Sequence, residues 1–310
     1  MIHRCIPLAL TITALMLPAA RAQAPCGTHG DRGTMLVSTA WLASHLKDPD
    51  LVIISIGPKS DYDSGHIPGT RYLDHMETHT MADKGLTVEL PAMAQLKDIF
   101  EKVGVSNQSR IVLYDESKDA LTAVTRVYMT LDAMGLGARA SLLDGGFVVW
   151  QKEGRPVSNS VPGAVRGKLE LCPQNDVIAE IGYVSANLHK SGVAIVDARA
   201  PQFYTGATIP REQRAGHIPG ATNLPFNTFT EADGKWKSPD ELRAMFTGVG
   251  VKPGDRVVSY CHIGFQATVV YFAARYLGYD ARMYDGSWQD WSAHTELPAE
   301  IASSAAPQGR

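Results

Sequence analysis

The chain repeats itself, and the repeat limits what it can fold into. Gly65-His66-Ile67-Pro68-Gly69-Thr70 returns as Gly216-His217-Ile218-Pro219-Gly220-Ala221. Upstream of each copy, Leu51-Val52-Ile53-Ile54-Ser55 corresponds to Val193-Ala194-Ile195-Val196-Asp197. Downstream, Leu96 to Phe100 with Val103-Gly104-Val105 corresponds to Leu242 to Phe246 with Val249-Gly250-Val251. Last come Asp144-Gly145-Gly146-Phe147 with Trp150, and Asp285-Gly286-Ser287-Trp288 with Trp291. Landmarks in one order along both halves mean one folding unit written twice. At 310 residues, 45% hydrophobic and 20% charged, the chain can bury two cores of ordinary domain size.

Each copy reads as α/β. Val52–Ile56, Arg110–Tyr114, Ala194–Val196 and Arg256–Tyr260 are short β-branched runs bounded by turn residues, the pattern of buried strands. Val269, Phe272, Ala273, Tyr276 and Leu277 keep helical spacing and Gly278 supplies a stop; Val124, Val127, Tyr128 and Leu131 do the same ahead of Gly135. Strands alternating with helices predict two tandem domains, each a mostly parallel sheet with helices on both faces. The expected boundaries are 34–155 and 177–302, joined by a Pro-, Gly- and Ser-rich linker at 156–176.

Residues 1–22 read as a secretory signal rather than as fold. A basic start at Arg4, an apolar run from Cys5 to Ala20 and the small-residue site Ala20-Arg21-Ala22 make up the pattern. The expectation is a periplasmic protein with no membrane span once the signal is gone. A formal net charge of −3 without long charge runs speaks against nucleic acid or anionic membrane as a partner.

Loss of Cys5 with the signal leaves Cys26, Cys172 and Cys261, an odd number in an oxidising compartment. Cys26 with Cys172 is the simplest pairing, the alternative being two unpaired thiols. In that arithmetic Cys261 is the free one. The strand Arg256–Tyr260 runs directly into Cys261-His262-Ile263-Gly264-Phe265-Gln266, and a helix follows from near Ala267. A cysteine in such a turn lies at the carboxyl edge of the sheet, where open α/β folds place ligands. Backbone N–H groups of the turn and helix start favour its thiolate, and Gly264 permits the close backbone this needs. A cysteine phosphatase would need Cys-x5-Arg, and position 267 is Ala.

The paired GHIPG segments, the loop of Cys261 and the closing Asp285-Gly286-Ser287-Trp288 with Trp291 together resemble a tandem-domain rhodanese. The resemblance implies a thiosulfate- or 3-mercaptopyruvate-type sulfurtransferase in which Cys261 carries a sulfane sulfur as a persulfide. It implies small-molecule donor and acceptor, no metal and no organic cofactor. Arg199 is the cation expected beside Cys261, with Asp197 orienting Arg199 or the loop. His262, Ile263, Gly264, Phe265 and Gln266 are the expected substrate-binding loop. His262 offers a partial positive charge, more so in acid, which tilts the expected donor to thiosulfate. Mercaptopyruvate, polysulfide, or a non-enzymatic sulfur- or redox-binding role are the alternatives.

His217 reads as structural, since its copy His66 persists in the first unit. That unit has lost the chemistry: Asp115 stands where Cys261 does, Ser55 replaces Asp197 and Gly57 replaces Arg199. Glu116 and Asp119 add negative charge there. A nine-residue insertion, Gly206 to Arg214, reads as an edge of the cleft in the second unit. A tandem pair burying its own interface is expected to be monomeric.

Overall fold

The computed structural model describes residues 34–80, 86–115, 117, 120–163, 165–211 and 213–301. Residues 1–33, with the expected signal and Cys26, lie outside the described residues.

The first unit comprises β1 (Leu36–Val37), α1 (Thr39–His45), β2 (Leu51–Ser55), α2 (Lys59–Ser64), β3 (Arg71–Tyr72), α3 (Met93–Lys102), β4 (Arg110–Tyr114), α4 (Leu121–Ala133), β5 (Ala140–Leu143) and α5 (Gly146–Lys152). Its strands are ordered β1-β5-β4-β2-β3, and every pair is parallel. The second unit comprises α6 (Ile181–Ala186), β6 (Val193–Asp197), α7 (Pro201–Tyr204), β7 (Thr222–Asn223), α8 (Pro239–Gly248), β8 (Arg256–Tyr260), α9 (Ala267–Leu277), β9 (Asp280–Met283) and α10 (Ser287–Ala293). Its order is β7-β6-β8-β9, again all parallel. Where β1 flanks the first sheet, the second has only a parallel bridge of Ile178 to Met283.

Strand alternation builds a core on each face, because successive side chains point to opposite sides. Ile111 and Leu113 of β4 face one apolar cluster, while Val112 and Tyr114 face another. The second cluster is private to the first unit and includes Phe147 and Trp150. The first cluster is continuous across both units, running from Ile54 and Val127 to Val257 and Phe272. Parallel sheets buried on both faces by crossover helices have this organisation.

The units meet where α4 lies against α9, the two helices that follow equivalent loops. Tyr128 packs edge-on against Phe272 at 4.8 Å. The Thr125 and Thr268 hydroxyls are hydrogen-bonded at 2.7 Å, and the Tyr271 hydroxyl donates to Asp132 Oδ2 at 2.6 Å. Arg275 adds an ion pair to Asp132 at 3.2 Å. Such buried polar contacts are costly unless satisfied, so they fix the register of the two helices.

The segment read as a linker is strapped to the first unit. Ser158 exchanges backbone hydrogen bonds with His66, the Gly167 N–H donates to Glu101 O, and the Cys172 N–H to Met134 O. Leu169 is fully buried. Cys172 is disulfide-bonded.

Candidate active site

Strand β8 ends at Tyr260 and α9 begins at Ala267, so residues 261–266 form a turn at the carboxyl edge of the second sheet. Cys261 is fully buried and is a free thiol. Its N–H donates to Ser287 Oγ at 3.1 Å, and its carbonyl accepts from the Trp288 N–H at 2.9 Å. The Gly264 N–H donates to Cys261 Sγ at 3.2 Å, and Ser287 Oγ lies 4.0 Å from the sulfur. A hydrogen bond from a fixed peptide dipole strengthens as the sulfur gains negative charge. Gly264 holds φ +96°, in the left-handed region that glycine adopts without strain. Ser287 holds φ +54°, and its hydroxyl is tied back to Tyr284 O at 3.0 Å.

Arg199 and Asp197 sit beside this turn, both fully buried. Arg199 Nε donates to both Asp197 oxygens at 3.0 Å, and Nη2 donates to Oδ2 at 2.6 Å and to Gly216 O at 2.8 Å. Its guanidinium lies 4.8 Å from the centre of the Trp288 ring. Burial works against its charge, but the Asp197 hydrogen bonds and attraction, with Tyr260 and Cys261 adding, hold its pKa above the ordinary value. Nη1 has no hydrogen-bond partner among the described residues. The cation is thus pinned by Asp197 and keeps one nitrogen unspent.

His262 departs from expectation. It is half-buried and meets Phe203 edge-on at 4.6 Å. Burial first, and Arg199 second, lower its pKa to about 4, against the weaker pull of Asp197. It is neutral at physiological pH, so the positive charge expected of it is absent there. Ile263, Phe265 and Gln266 are half-buried around Gly264. Phe265 meets His79 edge-on at 5.2 Å and His75 at 6.0 Å, both on the first unit. Burial lowers the pKa of both histidines.

The first unit contributes groups that the sequence pattern does not announce. Arg126 of α4 is fully buried and reaches across the interface. Its Nη1 donates to Gly264 O at 3.1 Å and to Asp285 Oδ1, and Nη2 donates to Asp285 Oδ2 at 3.1 Å. The Leu90 N–H donates to the same carboxylate at 3.1 Å, and Thr87 donates twice to Gln289 Oε1. The reciprocal contact also exists: the Trp236 N–H of the second unit donates to Asp144 Oδ1 at 2.9 Å. Each unit therefore donates a hydrogen bond to the aspartate that heads the closing Asp-Gly segment of the other.

At the strand end that leads into the loop of the first unit the backbone contacts match and the chemistry differs. Asp115 O accepts from the Phe147 N–H at 3.1 Å, as Cys261 O does from Trp288. Ser55 pairs with Tyr114 as Asp197 pairs with Tyr260. Glu116 and Asp119 lie outside the described residues. His66 and His217 make matching contacts: each Nδ1 meets the carbonyl of a tyrosine, Tyr62 at 2.9 Å and Tyr204 at 2.8 Å, and each ring stacks on that tyrosine. Both are turn braces. Arg214 of the insertion donates to the carbonyls of Leu297, Trp291 and His294, which ties the insertion to the segment around the end of α10.

A family model described as a rhodanese-like domain matches the chain twice, over residues 38–153 and 180–294. The chain belongs to the rhodanese family. Its two rhodanese-like domains coincide with the two sheets. The chain is 30% identical to the sulfur carrier protein TtuD of Thermus thermophilus, over 85% of this chain and 95% of that protein. It is 30% identical to the 3-mercaptopyruvate sulfurtransferase of Escherichia coli, over 86% and 98%. It is 28% identical to the thiosulfate sulfurtransferase of Azotobacter vinelandii, over 86% and 97%. Among solved structures, the 3-mercaptopyruvate sulfotransferase SseA of Escherichia coli aligns with TM-score 0.72 and 28% identity, over 82% of this chain and 99% of that one.

Proposed function

We propose that the protein is a sulfurtransferase that moves a sulfane sulfur from thiosulfate to a thiophilic acceptor through a persulfide on Cys261. The observation that carries the reading is the setting of one sulfur: a free thiol, a glycine N–H 3.2 Å from it, and beside the turn a fixed guanidinium that feels the charge of Cys261 and keeps one nitrogen unspent. The Cys261 thiolate attacks the outer sulfur of thiosulfate. The new S–S bond forms as the old one breaks, and its electron pair leaves with sulfite. The anionic persulfide then gives its terminal sulfur to cyanide or a thiolate, and cyanide departs as thiocyanate while Cys261 regains its thiolate. Preorganised N–H groups and a cation stabilise the charge carried through both steps.

Thiosulfate suits the site because its oxygens cluster at one end, and Arg199 Nη1 provides one anchoring point. Relatives of this chain named as thiosulfate sulfurtransferases support the assignment. A second reading, 3-mercaptopyruvate as donor, is favoured by the neutrality of His262, which leaves less positive charge for a dianion. A donor panel with cyanide as acceptor separates them. The expected result is a higher kcat/KM for thiosulfate; the reverse ranking selects mercaptopyruvate.

Export to the periplasm and a bridge between Cys172 and Cys26 complete the proposal. Intact mass with and without reductant, after thiol alkylation, tests the bridge.

A further inference from the structure

We infer that Arg126, on the domain without a cysteine, is a positioning residue for Cys261, clamping the Gly264 carbonyl and so restraining the residue whose N–H is turned to the sulfur. The inference deepens the sulfur-transfer reading and rests on it for its catalytic meaning.

Gly264 is the hinge of the cradle. Its N–H meets Cys261 Sγ at 3.2 Å, and its carbonyl meets Arg126 Nη1 at 3.1 Å. A glycine moves readily between backbone states, so an N–H that must point at an anion needs an outside restraint. A flipped Ile263–Gly264 peptide would aim the Ile263 carbonyl oxygen at the charged sulfur instead. Arg126 opposes that by holding the Gly264 carbonyl, which fixes the backbone on the far side of the same Cα, and Asp285 stands beside it. A Cβ at position 264 would lie 2.8 Å from Asp285 Oδ1 and 3.1 Å from Arg126 Nη1. Arg126 is itself locked by two hydrogen bonds to that carboxylate, so its fork geometry is fixed before substrate arrives.

The internal repeat supplies the comparison. The position in the second domain equivalent to Arg126 is Phe272, which packs at 4.8 Å against Trp236. Trp236 in turn donates to Asp144, the counterpart of Asp285. The interface can therefore be closed by an aromatic ring on the side facing Asp115. The buried arginine stands only on the side facing Cys261. A buried ion pair is a poor way to gain stability compared with well-packed apolar groups. Its placement follows the reactive loop.

The test uses the full two-domain protein with Arg126→Met, Arg126→Lys and the double variant Arg126→Met/Asp285→Asn. Arg126→Met is expected to lower kcat with thiosulfate and cyanide by about tenfold or more, by analogy with loss of a charge-stabilising donor, with the donor KM within about twofold. Lysine, which lacks the fork, should not rescue kcat. The double variant removes the unpaired carboxylate and should regain thermal stability without regaining kcat. Hydrogen exchange of the Gly264 amide should be about tenfold faster in both Met variants. Recovery of kcat together with stability in the double variant, or unchanged exchange at Gly264, overturns the inference. If the wild-type protein forms no persulfide with any donor, the sulfur-transfer reading fails, and the exchange measurement still decides the role of Arg126.

Discussion

Arg199 is clasped by Asp197 through Nε and Nη2, at 3.0 and 2.6 Å, while its Nη1 remains without a partner among the described residues. The carboxylate thus aims the cation without using all of it. Arg199→Lys keeps the charge but loses the fork, and kcat/KM with thiosulfate is expected to fall about a hundredfold. Steady-state kinetics at saturating cyanide check this. A Lys variant within twofold of wild type would mean that Arg199 supports the fold alone.

Asp197→Asn leaves a buried guanidinium without its counter-charge. Breaking one partner of a fully buried pair costs about 3–5 kcal/mol. Denaturant unfolding should show that loss, with the transition remaining cooperative.

His262 makes the protein acid-sensitive. Its pKa is depressed to about 4 in the folded state, against 6.5 for the unperturbed side chain. Between those values the unfolded chain binds more protons than the folded one, so stability falls as pH drops from about 6.5 towards 4. His75 and His79, depressed in the same direction, add to the slope. Melting temperatures of wild type and His262→Asn should converge as pH falls from 7 to 5, with the variant losing less. Parallel curves would remove His262 from the account.

Gly264→Ala tests the cradle from within. The residue holds φ +96°, and the added Cβ would come within 2.9 Å of Asp285 O. Left-handed strain and crowding together should cost about 1–3 kcal/mol. Turnover should fall more than stability does, because the N–H on Cys261 is displaced.

Much of this architecture can be read from the chain. Strands β4 and β8 have the bounds their β-branched runs predict, and α9 ends at Gly278, which takes φ +85°. The repeat places Asp115 opposite Cys261, and the carbonyls of both accept from the equivalent N–H groups of Phe147 and Trp288. The two-residue strands β1, β3 and β7 are too short to show a period of two. Arg126 escapes for a different reason. A charged side chain within a mostly apolar helix reads as a surface residue, and its partner Asp285 is 159 positions away. The neutrality of His262 is likewise invisible, because burial, unlike residue type, is a property of the folded turn. The segment at 156–176 looks like a free linker by composition, yet its backbone is bonded along the first domain.

Intact mass spectrometry is the direct test of a persulfide on Cys261. Protein mixed with thiosulfate in the absence of an acceptor should gain the mass of one sulfur atom, mapped to the peptide of Cys261. Cyanide should remove that sulfur and release one equivalent of thiocyanate, and Cys261→Ser should do neither. Turnover in the Ser variant, or a sulfur mapped to any other residue, would contradict the account.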